Sequence, residues 1–449
     1  MQAIQLRSFG KGGIHVDSGK ERTAHKPIEP LVPPPREVWL PLVESFGATA
    51  TEIVKKGDLV ARGQKVAEAG PGGVPVHASL SGRVKPTVKR PHPTLVNAPM
   101  MVIEAAADAP PPLAFPGDPL WRDCPRDEML ARIREAGIVG LGGAAFPTFR
   151  KLALPEGTTV DTVVINGSEC EPFLTADFRT MLAHPLEVVE GARLMARLTG
   201  GGRVLIGIEA DKLEAREPLE RAAAEIPGGL PVEVVPCEVR YPQGAERQLV
   251  TSLTGRVVPA RALPLAVGVL VQNVATAQAV YEAVRYRRPL LDRVITVTGP
   301  GILDPKNVLA PLGTPLSQLV SFCGGMADGT TRLVAGGPMM GRALPRLDLP
   351  LLKGMNGLTL LTGAGPLEGG YHPCIQCGRC IEACPLGLEP DQVSVRVEAG
   401  RTLDTDPFGA TDCYECGCCT YVCPAERPLL QFMQIAKSAL RRARQVKAG

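Results

Sequence analysis

Thiols dominate the chemistry open to this chain. Two runs, CIQCGRCIEACP and CYECGCCTYVCP, place Cys374, Cys377, Cys380 and Cys384, then Cys413, Cys416, Cys419 and Cys423, at the spacing C-x2-C-x2-C-x3-C-P. Three thiolates so spaced wrap three corners of an iron-sulfur cubane, and the fourth, set before a proline that turns the chain away, reaches a second cubane. The expected ligand sets are therefore crossed. Cys374, Cys377, Cys380 and Cys423 hold one 4Fe-4S cluster, and Cys413, Cys416, Cys419 and Cys384 hold the other. The competing reading is a pair of four-cysteine zinc sites, whose ligands come in separated knuckles; two complete runs that each end in Cys-Pro suit it poorly. Cys418 is an extra thiol inside the second run, expected to pack rather than ligate, while Cys124, Cys170, Cys237 and Cys323 stand isolated and read as buried small hydrophobes. Nine of the 13 cysteines crowd into residues 374–423 of a 449-residue chain, which argues for metal binding and against a disulfide scaffold.

A second constellation has the residue types to cradle a phosphate. The loop Gly140-Leu-Gly-Gly-Ala-Ala-Phe-Pro-Thr148 lets backbone approach a ligand closely, and Lys151 stands three residues on to balance negative charge. By itself this is a weak signal, because the loop follows a helix ending at Gly137 rather than a strand, and a glycine-rich turn is commonly only a turn. Three further segments strengthen it. VVINGSECEP at 163–172 sets Asn166, Glu169 and Glu171 just beyond a buried strand, where ligands bind in α/β folds. YPQGAERQL at 241–249 and VQNVAT at 271–276 read as two more polar turns. His15, His25, His77, His92, His184 and His372 show no metal spacing, and no Ser/His/Asp set is legible.

The elements that must position these groups follow from composition and periodicity. The length suits two to four domains, and 45% hydrophobic with 21% charged residues excludes disorder and fibrous repeats. Forty-nine Lys and Arg against 46 Asp and Glu leave a charge of +3, too balanced for a nucleic-acid partner. No apolar run reaches the ~18 residues of a membrane span, and the opening MQAIQLRSFGKGGIH lacks a signal-peptide core, so the cytoplasm is the expected compartment. Short Val-, Pro- and Gly-rich runs up to about residue 104 predict a small all-β unit. A proline-rich linker follows, and then strands alternate with helices: helices at 128–136, 186–198, 213–224, 246–253 and 274–286, strands at 160–165, 203–208 and 232–235. A strand at 293–298, a helix at 315–322 and a strand at 332–335 make a small α+β unit before the cysteines. The tail at 431–449 carries five basic residues and no acidic one, a pattern shared by solvated terminal helices and membrane-surface helices.

Together, the GLGGAAFPT, VVINGSECEP, YPQGAERQL and VQNVAT segments resemble the FMN and NADH site of the flavoprotein subunit of respiratory complex I, and more closely the C subunit of the Rnf electron-transport complexes. GGIHV near the start, VHASLSGRV at 76–84 and the paired cysteine runs extend that resemblance over essentially the whole chain. It implies a multidomain α/β protein: a small all-β barrel-sandwich hybrid domain at 1–104, a linker at 105–119, and a complex I flavoprotein-like FMN/NADH α/β domain at 120–288. A β-grasp domain of the soluble-ligand-binding (SLBB) type at 289–346 follows, with a two-cluster ferredoxin-like α-helical domain at 365–430 and a basic C-terminal helix at 431–449.

The resemblance also implies roles. Gly140, Gly142 and Lys151 match residues lining the flavin phosphate and ring, Asn166 and Glu169 those facing the isoalloxazine and ribityl, and Tyr241, Gly244, Asn273 and Thr276 the remaining flavin contacts. Glu171, Phe146 and Glu246 match positions used for the nicotinamide nucleotide, with Phe146 offering a stacking face and Glu171 and Glu246 as the candidate catalytic carboxylates. Ala145 stands where the related pattern has Gly, so its methyl is expected to narrow the nucleotide side; Ser168 replaces an Asp. No Lys in a Met-Lys hairpin appears, so a lipoyl-type carrier role is not implied. The implied activity is electron exchange among NAD(H), FMN and two 4Fe-4S clusters, in a peripheral protein on the cytoplasmic face of the cell membrane. Its partners would be ferredoxin, NADH, the ferredoxin-like B subunit and the membrane subunits that move ions. The alternatives are a soluble NADH-dependent cobalamin reductase of the propanediol-utilisation type, against which GGIHV and the β domain count, and a non-enzymatic electron-transfer adaptor with a vestigial flavin site.

Overall fold

The computed structural model describes residues 5–44, 46–225, 229–363 and 370–448, so the expected segment limits at 1, 365 and 449 lie outside it. Strands Thr162–Gly167, Arg203–Glu209, Val232–Cys237 and Val269–Asn273 form a wholly parallel sheet. Their Val- and Ile-rich runs lack polar alternation, as befits strands covered on both faces. Residue parity assigns the faces: Val163, Ile165, Ile206 and Leu270 pack with the helices Pro185–Thr199 and Val274–Tyr286, whereas Val164, Leu205, Val235 and Val271 pack with Glu246–Thr254. In space the order is third, second, first, fourth. The direction of the strand order therefore reverses beside Thr162–Gly167, and a crevice opens there at the carboxyl ends of the first and fourth strands.

The expected helices and strands of this region are present within a few residues, with two differences. The helix expected at 213–224 is a 3-10 segment, Ala210–Ala215, followed by Arg216–Ala224. The turn expected at 271–276 is instead the end of a strand and the first turn of a helix. Val269–Asn273 opens on an apolar Val-Leu-Val run that pairs with its neighbour, and Asn273 then caps Val274–Tyr286 by accepting from Ala275 N at 2.9 Å.

Near the N-terminus, a sheet of Glu37–Pro41, Asn97–Ala105, Gly82–Val84 and Leu59–Val60 lies across from Thr51–Glu52, Lys65–Glu68 and Val76–His77, around a core of Val38, Leu40, Val60, Val66, Met101 and Ile103. The stretch before this barrel is not part of it. Ile28–Pro30 pairs in parallel with Lys306–Pro311, at the edge of a six-stranded sheet that also takes Asp292–Thr298, Gly357–Thr362, Thr330–Ala335 and Arg342–Leu344. That sheet extends past the expected 289–346, and the added strand covers an edge that would otherwise be bare. The proline-rich linker is tied down, with Leu113 N donating to Arg62 O and Asp118 N to Arg285 O at 2.9 and 2.8 Å.

The cysteine region is a set of short helices closed by Leu429–Ala448. The apolar face of this last helix, Met433, Ala436 and Leu440, is covered by Val393 and Ala410, while Lys437 pairs with Glu415 and Arg444 with Asp406 at 2.8 and 2.9 Å. That face is therefore taken up by the fold and not free to lie on a bilayer as the apolar side of an amphipathic membrane helix does.

The N-terminal arm joins these parts. Gly13 N donates to Ala383 O at 2.9 Å, while Ile14 and Tyr241 exchange backbone hydrogen bonds at 2.8 and 2.9 Å. The arm fits because Gly12 has no side chain: at φ +68°, a Cβ there would lie 2.5 Å from the carbonyl carbon of Cys384. Gly12→Ala should therefore cost about 2 kcal/mol or more from overpacking and left-handed strain and lower the thermal midpoint by several degrees. Gly10→Ala, whose Cβ meets nothing within 4 Å, should leave the midpoint unchanged; differential scanning calorimetry separates the two.

Candidate functional site

The glycine loop closes on itself at the switch-point crevice. Gly140 N donates to Phe146 O at 2.8 Å and Ala145 N to Gly140 O at 3.1 Å, which leaves Gly142, Gly143 and Ala144 exposed. Leu141 N donates to Thr276 Oγ1 at 2.9 Å, pinning the loop to the helix that Asn273 caps. A Cβ on Gly142 would come within 3.3 Å of the Asn273 side chain, so glycine is what lets the loop sit this close. Ala145 has φ +52°, and its methyl is buried toward Gly354, whose own Cβ would lie 3.1 Å away. The methyl is thus turned into the fold.

Asn166 and Asn273 sit side by side in register at the strand ends. Asn166 donates from Nδ2 to Gly244 O at 2.8 Å and accepts from Ser168 N at 3.1 Å, so it fastens the Tyr241–Gly244 turn to the sheet. Asn273 donates to Asp177 Oδ2 at 2.6 Å. The Glu169 carboxylate accepts from Asp177 N and Phe178 N at 2.8 and 3.0 Å, capping Ala176–Ala183, while Lys20 donates to the Glu169 carbonyl. Burial, then the neighbouring Asp177, pushes Glu169 up to about 7. Lys151 and Glu246, assigned by resemblance to different ligands, are paired with each other at 2.5 Å.

Glu171 departs furthest from its expected role. It accepts from Met339 N and Met340 N at 3.2 and 2.6 Å, so its carboxylate is clasped by the GGPMMG turn at 336–341. A Cβ on Gly337 would collide with that carboxylate, so the clasp needs glycine. Sequence reading missed this turn; its paired glycines and methionines ahead of the cysteines were the available signal. Cys170 is likewise not isolated: it is half-buried, accepts from Gly244 N at 3.3 Å, and packs with Tyr241 and Cys416.

The thiols of the two runs meet in the fold. Cys374, Cys377 and Cys380 of the first run line one cavity together with Cys423 of the second. Cys384 of the first run lies close enough to Cys413, Cys416 and Cys419 to act on their thiols. Backbone N–H groups of Leu388 and Glu415 point at Cys384 and Cys413 Sγ, both at 3.3 Å. Burial pushes Cys380 and Cys413 up to about 11 and about 12, so iron must displace their protons. Cys418 is fully buried against Ile14, Tyr241 and Ala383. The two groups differ in setting: Cys377 and Ile375 are exposed, whereas Cys416 packs on Tyr241, whose hydroxyl donates to Cys416 O at 2.8 Å.

These residues fit the groups they would hold. Eight thiols in two four-membered sets are donors for two cubanes. At the crevice, the exposed glycine backbone, Lys151, and the buried Ser168 Oγ and Asp177 Oδ1, which lack hydrogen-bond partners among the described residues, suit a polar, phosphate-bearing flavin. Such a crevice joined to two crossed thiol sets defines a flavo-iron-sulfur oxidoreductase. The chain matches the Nuo51 FMN-binding domain over residues 133–282, the RnfC barrel sandwich hybrid domain over 8–108, the SLBB domain over 294–343 and a 4Fe-4S dicluster domain over 373–427. It is 40% identical to the C subunit of the proton-translocating ferredoxin:NAD(+) oxidoreductase complex of Clostridium ljungdahlii, covering 98% of this chain and 95% of that protein. It is 41% identical to the C subunit of the ion-translocating oxidoreductase complex of Rhodobacter capsulatus (97% and 84%), and 39% identical to the C subunit of the Na(+)-translocating ferredoxin:NAD(+) oxidoreductase complex of Acetobacterium woodii (95% and 96%). The chain belongs to this family, the C subunits of the Rnf complexes.

The Glu171 clasp carries a pH signature. Burial raises its carboxyl from 4.5 to about 7, so between those values the folded protein holds a proton that the unfolded chain has released. Stability from this group is complete below the lower value and falls as pH rises through the upper one. Glu171→Gln should flatten the fall in thermal midpoint over that window; a midpoint profile unchanged from the parent protein would count against the buried-acid assignment.

Proposed function

We propose that the protein is the peripheral, NAD(H)-exchanging member of an ion-translocating ferredoxin:NAD+ oxidoreductase complex, seated on the cytoplasmic face of the cell membrane. Its partners are ferredoxin, NADH, the ferredoxin-like B subunit and the membrane subunits, to which we assign ion movement. The observation that carries this reading is the Tyr241 hydrogen bond to Cys416, which joins the crevice to the inner thiol set within one packed cluster. When bound, FMN exchanges a hydride with NAD(H) and single electrons with iron-sulfur clusters, which suits a place between the nucleotide and the thiols.

The chain's own residues do the positioning. Gly140, Gly142 and Lys151 would hold the flavin phosphate, with the Lys151–Glu246 pair reopening to accept it; Asn166, Gly244, Asn273 and Thr276 keep the crevice walls in register. Tyr241 fixes the distance to the inner set, Cys413, Cys416, Cys419 and Cys384. The outer set, Cys374, Cys377, Cys380 and Cys423, faces solvent at Cys377, which supports it as the point of exchange with other chains. Glu171, held near neutrality by burial, can keep or release a proton within the physiological range beside this junction.

Anaerobically purified protein should release one non-covalent FMN and about eight irons per chain. Lys151→Glu should lower flavin content by at least tenfold by repelling the phosphate while leaving iron unchanged. Cys384→Ser should impair the cluster otherwise held by Cys413, Cys416 and Cys419. Electron paramagnetic resonance that instead showed damage confined to the Cys374, Cys377 and Cys380 cluster would refute the crossed ligation. NADH should bleach the flavin before any iron-sulfur signal changes; clusters that reduce with NADH in flavin-free protein would sink the reading.

A further inference from the structure

The six-stranded sheet reaches the crevice through its clasp on Glu171, and it also forms the back wall of the glycine loop. Residues 353–355, which lead into its strand Gly357–Thr362, run behind that loop. Lys353 Nζ donates to Gly137 O at 3.0 Å where the loop begins, and a Cβ on Gly354 would stand 3.1 Å from both Gly143 O and the Ala145 methyl. Arg293, on the strand Asp292–Thr298, ties wall to loop: its Nε donates to Met355 O at 2.9 Å and its Nη2 to Leu141 O at 2.5 Å.

These contacts set the direction of the loop's own donors. The peptide bonds 141–142 and 143–144 are trans, and in a planar trans peptide the N–H points opposite to the C=O of the same unit. With Leu141 O drawn back to Arg293 and Gly143 O backed onto Gly354, the N–H groups of Gly142 and Ala144 face away from the wall. Neither donates to any group among the described residues, and both residues are exposed. Leu141 cannot swing round, because its own N–H is spent on Thr276 Oγ1 at 2.9 Å. Backbone N–H groups turned outward together in this way suit an anion.

Arg293 brings charge as well as geometry. It is 3% exposed, and no ion pair joins it to a carboxylate among the described residues. The carboxylates that act on it from further off are Asp177, then Glu169, and both are engaged elsewhere. Asp177 accepts from Asn273 at 2.6 Å, and Glu169 from two backbone N–H groups at 2.8 and 3.0 Å. A buried cation without a close counter-ion is costly, and an anion held on the far side of the Leu141–Gly142 peptide lowers that cost. The guanidinium also polarises this peptide through its carbonyl, which makes the Gly142 N–H a stronger donor.

We propose that Arg293 is a positioning residue for the flavin phosphate: it turns the Gly142 N–H into the crevice, strengthens it through the shared peptide, and supplies buried positive charge that the phosphate completes. This rests on the reading of the glycine loop as the flavin site. It gives the β-grasp sheet a share in flavin affinity although none of its side chains needs to touch the flavin.

The test uses full-length protein freed of FMN, with its iron content verified. Quenching of flavin fluorescence gives dissociation constants for FMN and for riboflavin, which carries the same ring without the phosphate. The parent should prefer FMN. Arg293→Met should weaken FMN binding by roughly tenfold or more, as expected for loss of a charged hydrogen bond, and leave riboflavin binding unchanged. Arg293→Lys, which keeps the charge, should retain most of the preference, and Arg293→Gln, which keeps only a neutral donor, should fall between the two. A role confined to holding the fold would weaken both flavins equally; that result would overturn the proposal, as would an Arg293→Met variant with the parent's preference. If Arg293→Met does not fold, as judged by iron content and thermal midpoint, the Lys and Gln variants decide. A preference kept by Arg293→Lys and reduced in Arg293→Gln supports the proposal, and equal preference in the two overturns it. Parent protein that binds riboflavin as tightly as FMN would overturn the loop as a phosphate site, and Arg293's role with it.

Discussion

The structure depends on keeping a two-electron site and a one-electron site in fixed contact, and it does so at one junction. Tyr241 is buried, its backbone is paired with Ile14 and its hydroxyl donates to Cys416 O. The Gly12–Ile14 arm is threaded through the same gap, against Cys384 on one side and Tyr241 on the other. The cysteine region therefore cannot shift relative to the crevice without breaking the arm's ladder and exposing the cluster of Ile14, Tyr241, Ala383 and Cys418. Such rigidity suits electron exchange, in which separation matters more than any bond made or broken.

Beneath the crevice the fold accepts a concentration of buried charge. Lys212 is fully covered, with Glu209 at 3.0 Å and Asp211 at 2.6 Å. Arg293 donates to Leu141 O and Met355 O at 2.5 and 2.9 Å, and its charge opposes the upward push of burial on Asp177. Buried ions are costly unless paired and hydrogen-bonded, and nearly every one here is. Several of them orient the groups around the crevice: Lys20 holds the Glu169 carbonyl, Arg293 the Leu141 carbonyl and Asp177 the Asn273 amide. The partners come from distant parts of the chain, Lys20 from the arm, Arg293 from the six-stranded sheet, Asp177 from the helix after NGSECEP. The crevice is thus assembled only when all three have docked.

The GGPMMG turn extends the same logic. It clasps Glu171 with two backbone N–H groups, while Met339 also approaches Gly417 in the second cysteine run. A turn from the β-grasp sheet consequently touches both the crevice and the inner thiols. This gives that sheet a mechanical role here.

Much of this was legible in the residues alone, for a definite reason. Cluster ligation depends on short local spacing, so a two-cluster domain built on eight cysteines in two runs of four could be read from two twelve-residue runs. Helices and strands with strong periodicity, such as Val274–Tyr286, were also legible, because burial of one face is a local pattern. The glycine loop was readable as a ligand cradle but not as to what it faces. That required the third-second-first-fourth strand order, which sets Asn166 beside Asn273 through pairings more than a hundred residues apart. The fates of Glu171, Glu169 and Cys170 were hidden for the same reason: each is decided by a partner that sequence distance conceals, at Met340, Lys20 and Gly244. The sequence determined which chemistry this protein carries, because metal and phosphate ligands are specified by residue type and spacing. Only the tertiary structure decided how those chemistries are coupled, because coupling depends on distances between segments that meet only when the chain has folded.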